Sequence, residues 1–359
     1  MTKKNISISK SILDGMNKAF EKVSDVNKLD IDIVPDAGLA NIASYIKCIF
    51  GDKGPYDLTI TDDLGNSLLG MWHCEKGTDD AAKMWKTIEM KHDNFCKNIR
   101  KDCMFIADGL RPLVIQGQKK IIRDSKPTNT MEKDILPYVP AVCGLNTNYG
   151  AGYIDWFEQA DDYTGDFFWC PPSIKAMGVY INTDLNYNYW DAPAGLTRGP
   201  IAATDVAFSP TAKQAGSLYE KNWNYAIDYP NEGIVLEGQK TFQVKPSALD
   251  RVNVRRTMLR LERQAYKALR WFTYEGNTAY LRQRVVDALE PIMKACWKAG
   301  NGGIQRYKIV CDDKLNDANT IDNNELKIQV GVVPTKTAEF IMCEFIIGSQ
   351  GATWAELLG

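Results

Sequence analysis

Histidine, the residue most often used for acid–base and metal chemistry near neutral pH, occurs twice in this 359-residue chain, as His73 and His92. A Ser–His or Cys–His nucleophile would have to recruit one of them as its base. A zinc site would have to combine one of them with cysteines or carboxylates. Trp72-His73-Cys74 offers no second ligand at metal spacing, and Met90-Lys-His-Asp-Asn94 reads as the solvated face of a helix. Neither histidine sits in a motif, so the sequence assigns no catalytic residue, no metal and no cofactor. The nine cysteines form no CxxC pair, and most lie inside apolar runs such as Tyr45-Ile-Lys-Cys-Ile-Phe50 and Lys308-Ile-Val-Cys311. Their odd count and placement fit reduced core thiols of a protein folded in a cytoplasm, not a disulfide framework.

A third candidate for chemistry is a concentration of positive charge. Between Arg251 and Lys308 there are 13 Lys/Arg and 4 Asp/Glu, in a chain whose net charge is −2. The region therefore carries +9 against −11 elsewhere. Three uses are open: a solvated helix face, phosphate contacts on nucleic acid, or contacts to an acidic protein partner. Arg255, Arg256, Arg260 and Arg263 lie too near the apolar stripe of their helix to form one open patch, which weakens the nucleic-acid reading.

The elements that must position these residues follow from periodicity. The composition, 45% hydrophobic and 25% charged, is that of a globular protein, large enough for two domains or one large one. No apolar run nears the roughly 18 residues of a membrane span, and no secretory signal follows Met1-Thr-Lys-Lys-Asn5. Ile12, Met16, Ala19, Phe20 and Val23 are spaced for a helix over 11–23. A strand over 29–34, helices over 39–50 and 81–100 and a buried strand over 103–107 follow. That alternation favours a parallel α/β sheet. Residues 144–200 are rich in Asn, Asp, Tyr, Trp and Gly, with one helix over 173–183, and 203–245 read as loops and short strands, including 233–236.

The last third is more regular. Val254, Met258, Leu261, Ala265, Leu269 and Phe272 mark one amphipathic helix. Thr278 caps a second, with Leu281, Val285, Leu289, Ile292 and Cys296 on one face and Pro291 as a kink. Strand-like runs follow at 305–311, 325–333 and 338–347.

Several of these segments carry a recognisable pattern. Arg251-Val-Asn-Val-Arg-Arg256, the two helices, Tyr307-Lys-Ile-Val-Cys-Asp312, Ile321-Asp322 and Pro334 followed by Thr337-Ala-Glu-Phe-Ile341 resemble the C-terminal domain of contractile phage tail sheath proteins. Trp190-Asp-Ala-Pro-Ala-Gly-Leu-Thr-Arg-Gly199 looks like the sheath loop, with Trp190, Pro193, Gly195 and Arg198 at its motif positions. Arg251, Asn253, Arg255 and Arg256 are the motif residues of the basic helix start. Gly233-Ile-Val-Leu-Glu237 and the end, Trp354-Ala-Glu-Leu-Leu-Gly359, also resemble T4-like members. The motifs cover about residues 170–359 in the family's order.

The resemblance implies a subtilisin-like layered α/β core over 1–205, connecting loops and short strands over 206–245, an α+β C-terminal domain over 246–350 with two helices and a small sheet, and a tail over 351–359. No Ser/His/Asp signature accompanies the core, and a shared fold does not carry activity. The implied function is a structural sheath subunit that polymerises around a tail tube and contracts. The alternatives are an α/β hydrolase-like enzyme and a basic-helix nucleic-acid-binding protein. Implied partners are other sheath subunits in helical rings, the tube protein, the baseplate and the tail terminator, with no membrane and no direct nucleic acid. T4-like members carry an N-terminal arm and outer domains before this core, so two expectations stand open: a fragment of a longer sheath protein, or a split sheath whose N-terminal part is a separate polypeptide and a further partner. The implied location is the virion tail, assembled in the host cytoplasm. Arg282, Arg284, Lys294 and Lys298 are the expected tube contacts. Phe340, Met342, Phe345 and Ile347 mark the strand expected to pair between subunits, since a run apolar on both faces is a liability unless paired.

Overall fold

A computed structural model describes residues 8–42, 78–109, 144–163, 165, 167–207 and 209–339. In chain order, α1 (Ile8–Lys22) leads to β1 (Ile33–Pro35), and helical backbone resumes over 39–42. α2 (Thr78–Asn94) runs into a π-helical turn, Phe95–Arg100, closed by Lys101 in the left-handed region at φ 67°. Then come β2 (Met104–Asp108), β3 (Gly150–Tyr153), β4 (Phe157–Ala160), β5 (Phe167–Cys170) and α3 (Pro172–Asn186). The short α4 (Gly195–Arg198), β6 (Asp205–Val206), α5 (Ala212–Glu220), β7 (Trp223–Tyr229) and β8 (Gly233–Glu237) complete the core. The C-terminal part holds α6 (Val252–Leu269), α7 (Ala279–Trp297), β9 (Ile304–Val310), α8 (Ala318–Asp322) and β10 (Gln329–Pro334).

The main sheet has the order β1-β2-β3-β7-β8, parallel except for the β7–β8 hairpin. Successive residues of a strand face opposite sides, and β2 shows the result. Phe105 packs with Trp85, Ile88, Phe95, Trp223 and Phe242 on the α1/α2 side. Met104 and Ile106 pack with Tyr153, Ala176, Tyr180, Val252 and Leu259 on the α3/α6 side. Helices on both faces explain why all five residues of β2 are buried. Each large apolar side chain so buried contributes about 1.5–3 kcal/mol. Gly152 of β3 is required by this packing, because a Cβ there would stand 2.5 Å from the Phe242 ring. A second, antiparallel sheet has the order β5-β4-β6, and β9 and β10 form a two-stranded antiparallel sheet.

Three expectations change. The strand expected over 29–34 is confined to Ile33–Pro35, and 29–32 serve as acceptors for Arg100, Lys267 and Arg263 (below). Within 203–245, read as loops and short strands, the strand expected at 233–236 is β8, but the stretch also holds the helix α5 and the seven-residue strand β7. The α5 signal was present as Thr211-x-x-Gln214, whose capping box forms, with the Thr211 N–H donating to Gln214 Oε1 at 2.9 Å. His92 is not solvated. It is 3% exposed, packed between the rings of Phe20 and Phe105. The buried face of α2 and its π-turn runs Trp85, Ile88, Glu89, His92, Phe95 and Cys96, so His92 shares the apolar stripe despite its polar chain neighbours.

Asp155, between β3 and β4, is fully buried and accepts the Ala226 N–H of β7, while its Oδ1 has no partner. Burial pushes its carboxyl well above the usual carboxylate range. Between the ordinary carboxylate pKa and this raised value, the native state therefore holds a proton that the unfolded chain has lost. Stability from this group is present below the ordinary carboxylate pKa and is lost as pH rises toward the folded value. Asp155→Asn should thus gain stability relative to the wild type as pH increases, by at most about 1.4 kcal/mol per pH unit. Urea unfolding at pH 5 and pH 8 measures this, and a pH-independent difference would refute it.

Candidate assembly interface

The basic residues divide into those that hold the C-terminal helices to the core and those left outside. The first turn of α6 is wedged under the Trp190 loop. Asn253 Nδ2 donates to the Trp190 carbonyl at 3.0 Å. The Arg255 guanidinium lies 3.9 Å from the centre of the Tyr149 ring, with its Nε and one terminal nitrogen lacking hydrogen-bond partners. Arg256 donates to Asp184 of α3 at 2.6 Å and covers the Tyr180 ring at 4.8 Å. Tyr180 shares a 2.6 Å hydroxyl contact with Tyr153 of β3, and burial pushes its phenol up to about 12. Further along, Arg260 covers the Tyr189 ring at 4.4 Å. Arg263 pairs with Asp32 and donates to the carbonyls of Ile31 (2.8 Å) and Asp102 (2.5 Å). Lys267 reaches Asp30 at 2.5 Å. From the core side, Arg100 forks onto Asp102 through two 2.8 Å bonds and donates to the Val23 and Leu29 carbonyls at 2.7 Å. The planar five-donor guanidinium suits such multiple clamping.

The Trp190 loop supplies the other half of the seam. Pro193 is buried, Gly195 takes φ +78°, and Arg198 Nε closes the loop on the Ala192 carbonyl at 2.7 Å. A Cβ on Gly303 would stand 2.4 Å from Trp190, so β9 approaches the loop through a residue without a side chain. A second junction fastens residues 337–339. Glu339 accepts from Arg251 Nε at 2.6 Å, from the Tyr219 hydroxyl at 2.9 Å and from Gln239 at 3.2 Å, while Gln239 also donates to the Thr337 hydroxyl at 2.8 Å. Burial beside Glu339 pushes the Tyr219 phenol far up, so this hydroxyl stays a donor. Trp190, Asn253, Arg255 and Arg256 therefore lie at contacts between the core and the C-terminal helices, Arg251 holds Glu339, and Pro193, Gly195 and Arg198 belong to the Trp190 loop itself.

The four residues expected to meet a tube separate. Arg282 is buried, pairs with Asp313 and donates to Asn277 at 2.7 Å. Lys298 lies over the Trp190 ring at 4.7 Å, within the seam. Arg284 is exposed, with the rings of Phe272 and Tyr280 beneath it at 5.4 and 5.7 Å. Lys294 is exposed and pairs with Glu290 at 3.3 Å. The sequence puts all four on one helix, whereas Lys298 stands just past α7 as its left-handed C-cap at φ 40°, and a loop carboxylate claims Arg282. Phe340, Met342, Phe345 and Ile347 lie outside the described residues. Ala338 and Glu339, the start of that expected strand, are irregular backbone. Cys96, Cys103, Cys170, Cys296 and Cys311 are free thiols, the first four buried. Among the described residues, no helix is long and apolar enough to cross a membrane.

A doubly covered α/β sheet bearing a two-helix, two-strand C-terminal unit is the fold of contractile sheath proteins. It is shared with the contracted helical sheath of the anti-feeding prophage, at TM-score 0.53 and 23% identity over 88% of this chain and 83% of that one. It is shared also with the contracted sheath complex of the extracellular contractile injection system PVC, at TM-score 0.52 and 21% identity over 68% of this chain and 63% of that one. In sequence the chain is similar to the tail sheath protein of Vibrio phage KVP40, 27% identical over 265 residues that span 73% of this chain and 39% of that protein. It is similar also to the tail sheath protein of Enterobacteria phage T4, 29% identical over 202 residues, 56% of this chain and 30% of that one. The chain thus spans about a third of the length of the curated relatives it matches. No family model matches.

Proposed function

We propose that this chain is a structural subunit of a contractile tail sheath, which polymerises in helical rings around a tail tube and contracts to drive that tube through a host envelope. The observation that carries the reading is the similarity to phage tail sheath proteins over 265 residues, on a chain that has the sheath fold. The seam fits the task. A contracting lattice needs subunits that change packing as rigid bodies, and the α6 arginines tie the C-terminal helices to three separate parts of the core. It also accounts for the basic region, much of which is used inside the chain and forms no open stripe for nucleic acid.

On this reading the partners are further copies of the chain, the tube, the baseplate and the terminator, and the location is the virion tail. Arg284 and Lys294 are the basic residues of α7 that face outward. The segment from 340 to 347 supplies a strand to neighbouring subunits, supported by its apolar pattern and by a β9–β10 sheet that has only two strands among the described residues. Main-chain hydrogen bonds suit such a link because they tolerate sequence change. Electron microscopy of the purified chain, alone and with its tube, tests this. Helical rings are expected from the full chain, whereas truncation after Glu339 should leave folded monomers. Full-length sheaths from the truncated chain would refute the strand role, and absence of any ordered polymer with tube present would refute the sheath reading.

A further inference from the structure

The most unusual chemistry in the molecule lies away from the seam, under α2. Asp36 follows β1, Asp108 ends β2, and Glu89 and His92 project from α2 one helical turn apart. All four are buried. One donor atom each from Asp36, Glu89 and His92 lie within 4.8 Å of one another. His92 Nδ1 is 3.2 Å from Glu89 Oε2. Adjacent donors about 2.1 Å from a single ion at octahedral or tetrahedral angles would be about 3.0–3.4 Å apart. Glu89 Oε1, fully buried, has no hydrogen-bond partner. Glu-x-x-His on a helix places two donors on one face, as in bundle metal sites.

Charge points the same way. Among the described residues no Lys or Arg is paired with Asp36, Glu89 or Asp108. Asp108 is already satisfied: it accepts the N–H groups of Gly38 (2.7 Å) and Ser173 (2.5 Å) and the Ser173 hydroxyl (3.0 Å). Asp36 accepts the Ala40 N–H, at 2.9 and 3.2 Å to its two oxygens, and its carboxyl also meets the carboxyls of Asp108 and Glu89. Buried carboxylates must be neutralised, by protons or by a cation. With Asp108 held by its three donors, the Asp36 and Glu89 carboxylates and a neutral His92 imidazole would together carry −2, the complement of one divalent ion. The mixed nitrogen and oxygen donors favour zinc and its neighbours over magnesium, which keeps its waters.

We propose that Asp36, Glu89 and His92 form a structural site for one divalent cation of the zinc class, held in the core and clamping α2 to the end of β1, with Asp108 orienting the site from behind. The chain neighbours of His92 do not reveal the site, because one carboxylate stands a helical turn away and the other is brought over by the sheet. The site is independent of the sheath reading, and its test needs no assembly.

The full chain is stripped with a chelator and titrated with Zn2+, and in parallel with Co2+. Metal content after gel filtration, the thermal unfolding midpoint and the visible spectrum are recorded. One Zn2+ per chain is expected, with a midpoint that rises on loading and falls on stripping, and Co2+ should give visible bands of an imidazole–carboxylate site. Glu89→Gln and His92→Gln should each weaken Zn2+ binding by about 100-fold or more. The stripped wild type provides a comparison that needs no substitution, should a variant fold poorly. Less than about a tenth of an equivalent of metal with no midpoint shift in excess Zn2+ would overturn the proposal, leaving the pair bridged by a proton. Equal binding by folded forms of both variants would overturn it as well.

Discussion

Arg256→Ala is expected to destabilise the chain by about 3–5 kcal/mol, the range for breaking one side of a buried ion pair. The Arg256 side chain is nearly buried and its Asp184 partner is largely so. Removing the guanidinium leaves the Asp184 carboxylate without its cation and uncovers the Tyr180 ring, so lost charge pairing and lost packing add. Arg256→Lys should fall between, because an ammonium keeps the charge but cannot lie flat over the ring. Replacing both partners, with Arg256→Met and Asp184→Leu, should recover most of the loss, since an apolar pair of similar volume carries no desolvation cost. Urea unfolding followed by tryptophan fluorescence gives the values, and limited proteolysis should show the α6–α7 region released first. A loss under about 1 kcal/mol would mean that the seam is held elsewhere, by Arg263 and the Trp190 loop.

How much of this could be read from the sequence depends on distance along the chain. Local periodicity placed α1, α2, α3, α6 and α7 within a few residues, because each buries one face and its apolar spacing records that face, whereas β2 was legible as a short continuous apolar run because both its faces are buried. The motif residues around Trp190 and Arg251 were legible as a pattern, but their work was not. That Asn253 meets the Trp190 carbonyl, and Arg263 the carbonyls of Ile31 and Asp102, depends on contacts across tens to hundreds of residues. The β5-β4-β6 sheet was hidden for the same reason. Its strands are two to four residues long, too short to show alternation. His92 failed in the opposite direction: its neighbours in the chain are polar, and its neighbours in space are phenylalanines.

The outward face of α7 carries the second large effect, this time in assembly. Reversing Arg284 and Lys294 to Glu should leave the isolated chain nearly as stable as before. Lys294 and Glu290 form an exposed i,i+4 pair, and such pairs are worth about 0.3–0.5 kcal/mol. Arg284 is exposed, so its loss mainly uncovers the edges of Phe272 and Tyr280. In a lattice the same two charges recur in every subunit, and contacts of at most about 1 kcal/mol each sum to a firm hold that contraction can still release. The double reversal should therefore abolish assembly on tubes or yield tails that contract early, as counted by electron microscopy. Arg282→Glu is the contrasting control. Buried against Asp313 and Asn277, it should lower the stability of the monomer itself, before any assembly. If polymers formed without a tube are also damaged by the double reversal, the outward charges serve contacts between sheath subunits. Unchanged extended tails in both settings would reduce this face to a solvated surface, and the hold on the tube would have to be sought on another element.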